Sequence, residues 1–481
     1  MFTNKSLFLT IDQGGHASRA IVFDIEGEVV AHSEHPIRTL HPQPSFVEHD
    51  AQDLLQSIRD SLTDVMSQLG DEARFIQAAG LATQRSNVVC WDRTTGAALS
   101  PIISWQDSRA HAWLRELNLD RDDVHRTTGL FPSAHYGASK LHWCLHNIQA
   151  VTQAQQEGRL MCGPMSSFLV RHLVTEQHCY ADPVNASRTL LWHIQHRDWD
   201  DSLLQQFGIA RDYLPECVPT CYDYGTLTLG KFNIPLTVVT GDQSAALFAY
   251  GALQYETAYV NTGTGAFVSR PSGHAMIYAR RLLTSLIYSN QHDSRYVLEG
   301  TVNGAGAALD WLQEHMPVAE LWEKLPHWLE RISNPPLFLN GISGLASPYW
   351  IANFQTELPA NASSEENYVA VIESIAFLLN ANVQEMMKFA SRPEQIQITG
   401  GLAHLDGLCQ RLADLTRLPI YRPTEVEATA RGLAYLIADM PDRWPENEHG
   451  DWFKPAENTL LDTRFLLWEQ AMLQRMRHEH D

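Results

Sequence analysis

The sequence lacks any apolar run of the roughly 20 residues that a membrane-spanning helix needs. Its N-terminus, Met1 to Ser6, is polar and shows neither the basic and apolar segments nor the cleavage site of a secretory signal. The seven cysteines are scattered, and Cys217 and Cys221 have no second pair to complete a zinc site. These absences predict a cytoplasmic protein with reduced thiols and no membrane partner.

Positive charge is also scarce, since the sequence has 35 Lys and Arg residues but 56 Asp and Glu residues. An acidic chain opposes the counterion release that drives nucleic-acid binding, so we expect no nucleic-acid partner. The balance does not exclude a nucleotide, because backbone N–H groups, Mg²⁺ and a few local basic residues suffice to hold phosphates. Low-complexity tracts are absent as well, which indicates an ordinary folded protein.

The length of 481 residues favours two large domains, because single domains usually contain about 50–250 residues. Strand-like segments alternate with helical ones, which predicts an α/β architecture. Leu7 to Asp12 has the pattern of a buried strand, and 19–24 and 29–33 continue as neighbouring strands with a turn at Gly27. A sheet that begins with antiparallel neighbours is therefore expected.

Two further patterns have structural explanations. Ala51 to Leu69 shows the apolar period of an amphipathic helix, and Asp50 and Asp53 at its start are typical capping residues. Gly225 to Lys231 matches the glycine and lysine spacing of a P-loop, but Phe232 follows where Mg²⁺ binding requires Ser or Thr. We therefore interpret that segment as a strand.

A pattern of strand, glycine-containing turn and strand occurs once in each half of the chain. The first turn is 12–15, and the second is 262–265 between strand-like segments at 259–261 and 266–269. Such turns let backbone N–H groups approach phosphate oxygens, and the carboxylate of Asp12 can hold Mg²⁺. Two similar domains that share one ligand explain the repeat, while an ordinary hairpin turn remains the alternative for either turn.

Many short segments, in the same order, resemble the FGGY carbohydrate kinases and among them most closely the glycerol kinases. The resemblance extends from about residue 7 to residue 440. The segments that carry it are Phe8 to Gly14, Ser18 to Ala20, Phe46 to Asp50, Thr83 to Arg85, Ser104 to Gln106, Ser139 to Trp143, Asn185 to Thr189, Gly241 to Phe248, Asn261 to Gly265, Gly306 to Leu312, Pro348 to Trp350, Glu373 to Ala376 and Gly400-Gly401.

The resemblance implies an α/β fold of two actin- and hexokinase-like (ribonuclease H-like) domains with a ligand cleft between them. We expect an N-terminal domain over 1–249, a C-terminal nucleotide domain over 250–440 and an extension over 441–481. The implied activity is phosphorylation of a hydroxyl of a small sugar or polyol by ATP with Mg²⁺. A homodimer and a non-catalytic ATP-binding sensor or scaffold stay open, although retention of Asp12 and Asp242 favours the enzyme.

Asp242 is the candidate catalytic residue. It follows an apolar strand that ends at Gly241, so its carboxylate lies at the rim of the sheet, where it can accept the proton of the attacking hydroxyl. The matching Asp of the family is the general base, whereas spacing alone also allows a helix cap before Ser244.

The resemblance also implies which residues contact the nucleotide. Asp12 would contact both the nucleotide and the metal. The other nucleotide-binding residues are Gly14, Gly15, Thr264, Gly265, Gly306, Gly400 and Gly401. The alternative for these glycines is that they begin helices or close turns.

The substrate residues that the resemblance implies include two departures from glycerol kinases. Ser86 stands where those enzymes have Glu, and His135 stands where they have Tyr. Loss of the carboxylate acceptor makes a ketose or another polyol as good a candidate as glycerol itself. Two other segments also differ from the family, namely 15–17 in the first phosphate loop and 351–356. The implied substrate-binding set is Arg85, Trp105, Asp107 as a replacement acceptor, His135, Asp242, Gln243 and Phe267.

Overall fold

Two large β-sheets organise the chain in the computed structural model, which describes residues 5–358, 361–424, 427–442, 444 and 449–480. The first half contains β1 (Leu7–Gln13), β2 (Ala17–Phe23), β3 (Val29–Pro36), β4 (Glu48–His49), β5 (Ile76–Thr83), β6 (Val88–Asp92), β7 (Ile102–Ile103), β8 (Leu160–Pro164), β9 (Tyr180–Ala181), β10 (Trp192–His193), β11 (Asp198–Trp199), β12 (Glu216–Cys217), β13 (Cys221–Leu229) and β14 (Phe232–Gly241). Its helices are α1 (Ala51–Leu69), α2 (His111–Glu116), α3 (Arg121–Thr128), α4 (Gly137–Asn147), α5 (Gln149–Gln156), α6 (Met165–Leu173), α7 (Pro183–Ser187), α8 (Asp201–Phe207) and α9 (Asp242–Ala246).

The second half has fewer and longer elements. Its strands are β15 (Thr257–Thr262), β16 (Ala266–Gly273), β17 (Leu283–Ser289), β18 (Ser294–Val302), β19 (Gln395–Thr399), β20 (Ile420–Pro423) and β21 (Gly450–Phe453). Its helices are α10 (Gly306–His315), α11 (Leu321–Arg331), α12 (Ser364–Met386), α13 (Asp406–Thr416), α14 (Ala428–Ile437) and α15 (Thr459–His480).

The first sheet has the strand order β13-β14-β5-β1-β2-β3. β14, β5 and β1 run parallel, whereas β1, β2 and β3 form the expected antiparallel series. Every residue of β1 is buried, because α1 covers one face of the sheet and α14 covers the other. The predicted helix 51–69 coincides with α1, and Asp50 caps it by accepting hydrogen bonds from the backbone N–H groups of residues 52 and 53. The segment with P-loop spacing lies in β13 and the turn after it.

The second sheet repeats the centre of the first. Its order is β17-β18-β16-β15-β19-β20-β21, in which β15 pairs antiparallel with β16 and parallel with β19. β1 has the same relation to β2 and β5. The repeat of strand, turn and strand that the sequence shows is therefore a repeat of sheet topology. The long helix α12 supplies much of the core of this half, since nearly all of its residues are buried.

The two halves are interlocked. Helix α14, which belongs to the second half of the chain, packs on the first sheet and on α9, and Leu433 and Ile437 contact Gly80 of β5 closely. The Trp444 indole N–H donates to the carbonyl of Ala249. In the C-terminal segment, β21 pairs with β20 and the buried face of α15 joins the core around α12. No helix in the described part of the chain has the length and apolar character that crossing a membrane requires.

A glycine at the contact of α9 and α14 allows a stability test. A Cβ atom at Gly432 would lie 1.9 Å from the carbonyl oxygen of Ala245. In the Gly432→Ala variant, α9 and α14 must therefore move apart. We expect that variant to lose about 3 kcal/mol of unfolding free energy, measured by urea denaturation. Gly401→Ala is the control, because a Cβ there meets no atom within 4 Å. Equal stability of the two variants would show that the helices separate easily.

Candidate active site

Three strands of the first sheet end at one edge and bring the predicted site residues together. In the parallel register, Gln13 of β1 and Gly241 of β14 both lie opposite Thr83 of β5. The residues at or just after these strand ends, Asp12, Arg85 and Asp242, are therefore neighbours. The carboxyl ends of parallel strands are the usual place for a ligand in an α/β fold.

Asp242 is the first residue of α9, and Gly241 rather than Asp242 occupies the N-cap position. Its Oδ1 accepts a hydrogen bond from the backbone N–H of Gln243 at 2.7 Å. Burial raises the pKa of Asp242 above its usual value, and the positive charges of Arg85 and Arg188 oppose that rise. A buried carboxylate with a raised pKa is a stronger proton acceptor than an exposed one.

Asp12 is a second buried carboxylate at the same edge, with 6% of its surface exposed. Burial first, and then the negative charge of Asp242, raise the pKa of Asp12 to about 7. The positive charge of Arg19, whose Nη1 lies 3.6 Å from Oδ2 of Asp12, lowers this pKa and so opposes the rise. Two buried carboxylates, one of which raises the proton affinity of the other, form the kind of site that a divalent cation stabilises, because the cation replaces the proton. The residues present therefore fit Mg²⁺.

The predicted substrate residues of the first half meet around Arg85. A guanidinium nitrogen, Nη2, donates to Oε1 of Gln243, which adjoins Asp242. Trp105 and His135 lie together, with their ring centroids 5.4 Å apart. Burial first, and then Lys140 and the two arginines, hold the pKa of His135 well below its usual value, so the imidazole is neutral. The group thus combines one fixed positive charge with two aromatic rings.

Lys140 joins the two chain segments that carry this group. Its ammonium donates to the carbonyl of His135 at 2.7 Å and to that of Ser86 at 3.4 Å, and its surface is entirely buried. Burial lowers the pKa of Lys140 to about 7 despite the nearby charge of Asp107. The turn conformation of Ser86, with a φ of 67°, is therefore stabilised by a contact from α4.

Asp107 is not available in this structure as the replacement acceptor that the sequence indicated. Both of its oxygens accept from Arg109, and Oδ2 also accepts from the backbone N–H of Val47 at 2.7 Å. Arg109 in turn reaches Glu48. Asp107 therefore fixes the fold around Trp105, and its carboxylate is already occupied.

Sequence reasoning missed two charged residues that the structure adds to the site, Arg188 and Glu299. Glu299 lies on β18 of the second sheet, where its Oε2 accepts from Arg188 at 2.5 Å and from Ser285 at 2.8 Å. Its Oε1 is 3.6 Å from Nη2 of Arg85. Burial raises the pKa of Glu299, but Arg188 and Arg85 outweigh that effect and bring the pKa to about 2. A charged residue within the otherwise uncharged segment 296–302 of β18 was the sequence signal for it.

The glycines predicted to bind nucleotide fall into two groups. Gly306 and Gly400 are required by packing, since a Cβ would lie 2.8 Å from the carbonyl of Gly263 and 2.5 Å from that of Thr262, respectively. The Gly306 N–H donates to the Gly263 carbonyl. Gly401, in contrast, faces open space, and a Cβ at Gly15 would have its nearest neighbour at 3.5 Å. The second turn, with Thr264 and Gly265, is thus in contact with the start of α10, while the space beside Gly15 and Gly401 is open enough for phosphates.

Comparison with known proteins assigns the family. The model of the FGGY family of carbohydrate kinases, N-terminal domain, matches residues 7–249, and that of its C-terminal domain matches residues 258–438. The chain belongs to the FGGY family of carbohydrate kinases. It is 31% identical over 456 residues to a glycerol kinase of Shewanella pealeana, with 92% of each protein covered.

Solved structures of this family share the fold. Plasmodium falciparum glycerol kinase with ADP superposes with a TM-score of 0.88 at 24% identity, covering 98% of both chains. Xylulose kinase from Rhodospirillum rubrum gives 0.85 at 18% identity, covering 99% of this chain and all of the other. The two-domain architecture that the sequence predicts is thereby confirmed. As a member of this family, the protein is a kinase that uses ATP to phosphorylate a hydroxyl of a sugar or polyol.

The low pKa of Lys140 can be tested by measuring how the unfolding free energy depends on pH. Its pKa is about 7 in the folded protein and about 10.4 in an unfolded chain, so the unfolded chain binds more protons between these values. The unfolding free energy of wild type relative to Lys140→Met should therefore rise with pH above 7, by up to about 1.4 kcal/mol per pH unit. Urea unfolding from pH 6.5 to 9 measures this. The same measurement on Lys231→Met, at an exposed lysine paired with Asp71, is the control for replacing a lysine with Met. Parallel curves for wild type and Lys140→Met would contradict the low pKa.

Proposed function

We propose that Asp242 is the general base that removes the proton from the attacking substrate hydroxyl. Its place at the start of α9, beside Arg85 and Gln243, is the observation that carries this proposal. Burial raises the pKa of the carboxylate and so strengthens it as a proton acceptor, while the neighbouring positive charges oppose that rise. Arg85, Gln243, Trp105 and His135 would bind and orient the substrate so that the reacting hydroxyl faces Asp242.

Asp12 is proposed as the residue that holds Mg²⁺. The metal would supply charge neutralisation for the transferring phosphate. Gly14 and Gly15 on the first turn, Thr264 and Gly265 on the second, and Gly401 beyond β19 would approach the phosphates through their backbone. Gly306 and Gly400 contribute in a different way, because their lack of a side chain lets the start of α10 and the end of β19 pack closely against the second turn. Phe267 lies on β16, next to the second turn, and is proposed to border the substrate.

The substrate is proposed to be a polyol or ketose of four or more carbons rather than glycerol. Ser86 offers a hydroxyl where glycerol kinases have a carboxylate, so one strong acceptor is missing beside Arg85. The smaller side chain also leaves space for a longer chain. The test is a panel of glycerol, longer polyols and ketoses, with ADP release measured in the presence of ATP and Mg²⁺. Preference for glycerol over every longer compound would contradict this substrate class.

Asp242→Asn tests the base. The amide keeps the shape of the side chain but cannot accept the proton, so turnover of the best panel substrate should fall by about 10²- to 10⁴-fold. ATP affinity, measured by calorimetry, should stay within about threefold of wild type, because the proposed phosphate contacts lie on other residues. Asp64→Asn, at an exposed carboxylate, is the control. Turnover of Asp242→Asn within about threefold of wild type would exclude this role.

We also propose that the protein forms a homodimer through α15. One face of this helix is buried, yet Leu460, Leu466, Leu467 and Leu473 on the rest of it are each 43–56% exposed. The pairs Leu460/Leu473 and Leu466/Leu467 have the same midpoint in the helix. In an antiparallel pairing of two copies about a two-fold axis, the members of each pair therefore lie at the same level along the two helices.

Sedimentation of the purified protein checks the dimer. Replacing both Leu466 and Leu467 with Glu should convert a dimer into a monomer at about 10 μM, because four like charges would be buried near the two-fold axis. Trp322→Glu is the control, since Trp322 is 56% exposed on α11 and lies outside the proposed contact. A monomeric wild type, or a double variant that remains dimeric, would refute the proposed interface.

A further inference from the structure

Only one of the two oxygens of the Glu299 carboxylate accepts hydrogen bonds from the described residues. Its Oε2 accepts hydrogen bonds from Arg188 and Ser285, but its Oε1 has no hydrogen-bond partner among the described residues. The residue is 3% exposed, and its low pKa keeps it ionised. A buried carboxylate oxygen without a donor is unfavourable, so a ligand that brings a donor to this oxygen gains affinity.

The sheet register places Glu299 next to the proposed substrate site. Phe267 of β16 pairs with Thr301 of β18, and Ser269 pairs with Glu299. Residues two apart on a strand share a face, so Phe267 and Glu299 lie on the same face of the second sheet, about 7 Å apart along the strands. Ser285 of β17 hydrogen-bonds to Glu299 on that face. This face also meets the first domain, because Arg188 and Arg85 both approach the Glu299 carboxylate.

The first domain has a second unpaired polar atom, next to Arg85 in the chain. Ser86 is 3% exposed, and its Oγ likewise lacks a hydrogen-bond partner within the part of the chain that the structure describes. It follows Arg85, whose guanidinium lies beside Glu299 Oε1. One buried hydroxyl, on the residue that follows Arg85, and one buried carboxylate oxygen, 3.6 Å from its guanidinium, thus lack a hydrogen-bond partner among the described residues. Substrate hydroxyls are suited to both, since each can donate one hydrogen bond and accept others.

We propose that Glu299 is a specificity-determining residue of the substrate site and that its Oε1 accepts a hydrogen bond from a hydroxyl of a polyol or ketose of four or more carbons. This inference rests on the proposed function. The second domain then supplies the carboxylate acceptor that the first domain lacks at Ser86. Asp242 and Glu299 both interact with the Arg85 guanidinium. A substrate that meets both carboxylates must extend past that group, which favours a chain longer than that of glycerol.

Glu299→Gln tests the proposal. The carbonyl oxygen of Gln still accepts from Arg188 and Ser285, while the amide nitrogen replaces Oε1 and cannot accept a hydrogen bond. We expect kcat/KM for the best longer substrate of the panel to fall about ten- to a hundredfold. The value for glycerol should fall less than about threefold, because glycerol is too short to use Oε1. The selectivity ratio between the two substrates is the decisive quantity.

Two further variants separate specificity from stability. Glu373→Gln is the matched control, because Glu373 is 2% exposed and pairs with Arg464 between α12 and α15, outside the site. It should lower the melting temperature and leave the selectivity ratio unchanged. Adding Ser86→Glu to Glu299→Gln returns a carboxylate to the first domain. That double variant should prefer glycerol more strongly than Glu299→Gln alone.

The outcomes distinguish this inference from the function on which it rests. If wild type phosphorylates no polyol or ketose of the panel, the proposed substrate class is wrong. If wild type is active and Glu299→Gln loses the same factor on glycerol and on the longer substrate, Glu299 only braces Arg188 and the inference is wrong. Should Glu299→Gln not fold, Glu299→Asp replaces it, because the shorter side chain withdraws Oε1 without removing the charge. An unchanged ratio in that variant also overturns the inference.

Discussion

Burial of Asp12 and Asp242 at one edge of the first sheet is the constraint on which the site depends. Their proximity is set by the backbone, because β1 and β14 both run parallel to β5 and end at the same level. Each carboxylate is disfavoured by burial, and the charge of Asp242 raises the proton affinity of Asp12 further. Arg19 on one side and Arg85 on the other reduce this cost without removing it. The surplus negative charge is what makes the edge suitable for a cation and for a proton acceptor at once.

The second domain contributes a negative charge, Glu299, to the same buried region. Arg85 and Arg188 carry two positive charges into a buried region, and Glu299 neutralises part of them from β18. Arg188 follows α7, whose Asn185 donates a hydrogen bond to the carbonyl of Thr240 in β14. The strand that carries Asp242 is therefore connected through α7 and Arg188 to the second sheet. A buried ion pair contributes little net stability but is costly to break, so this connection favours one relative position of the domains.

Local patterns in the sequence were sufficient to predict several elements. The apolar period of α1, the hairpin of β1 and β2 and its counterpart of β15 and β16 each depend on residues close in the chain, and the structure contains all of them. The position of Asp242 at a strand end was predictable for the same reason. The motif resemblance supplied the family, which the comparisons confirm. The roles of the individual site residues stay proposals.

What the sequence could not supply depends on contacts between distant segments. Nothing local to 428–437 indicates that α14 covers the first sheet, because its apolar face would suit either domain. The occupied state of Asp107 depends on Arg109 and on Val47, which lies 60 residues away. Glu299 is the clearest case, since only the register of β16 and β18 brings it to the face that meets Arg85. The proposed substrate site, to which both domains contribute, thus depends on sheet register in one domain and on strand ends in the other. If this proposal holds, substrate preference can change through either domain while the proposed proton acceptor Asp242 and the proposed cation ligand Asp12 stay the same.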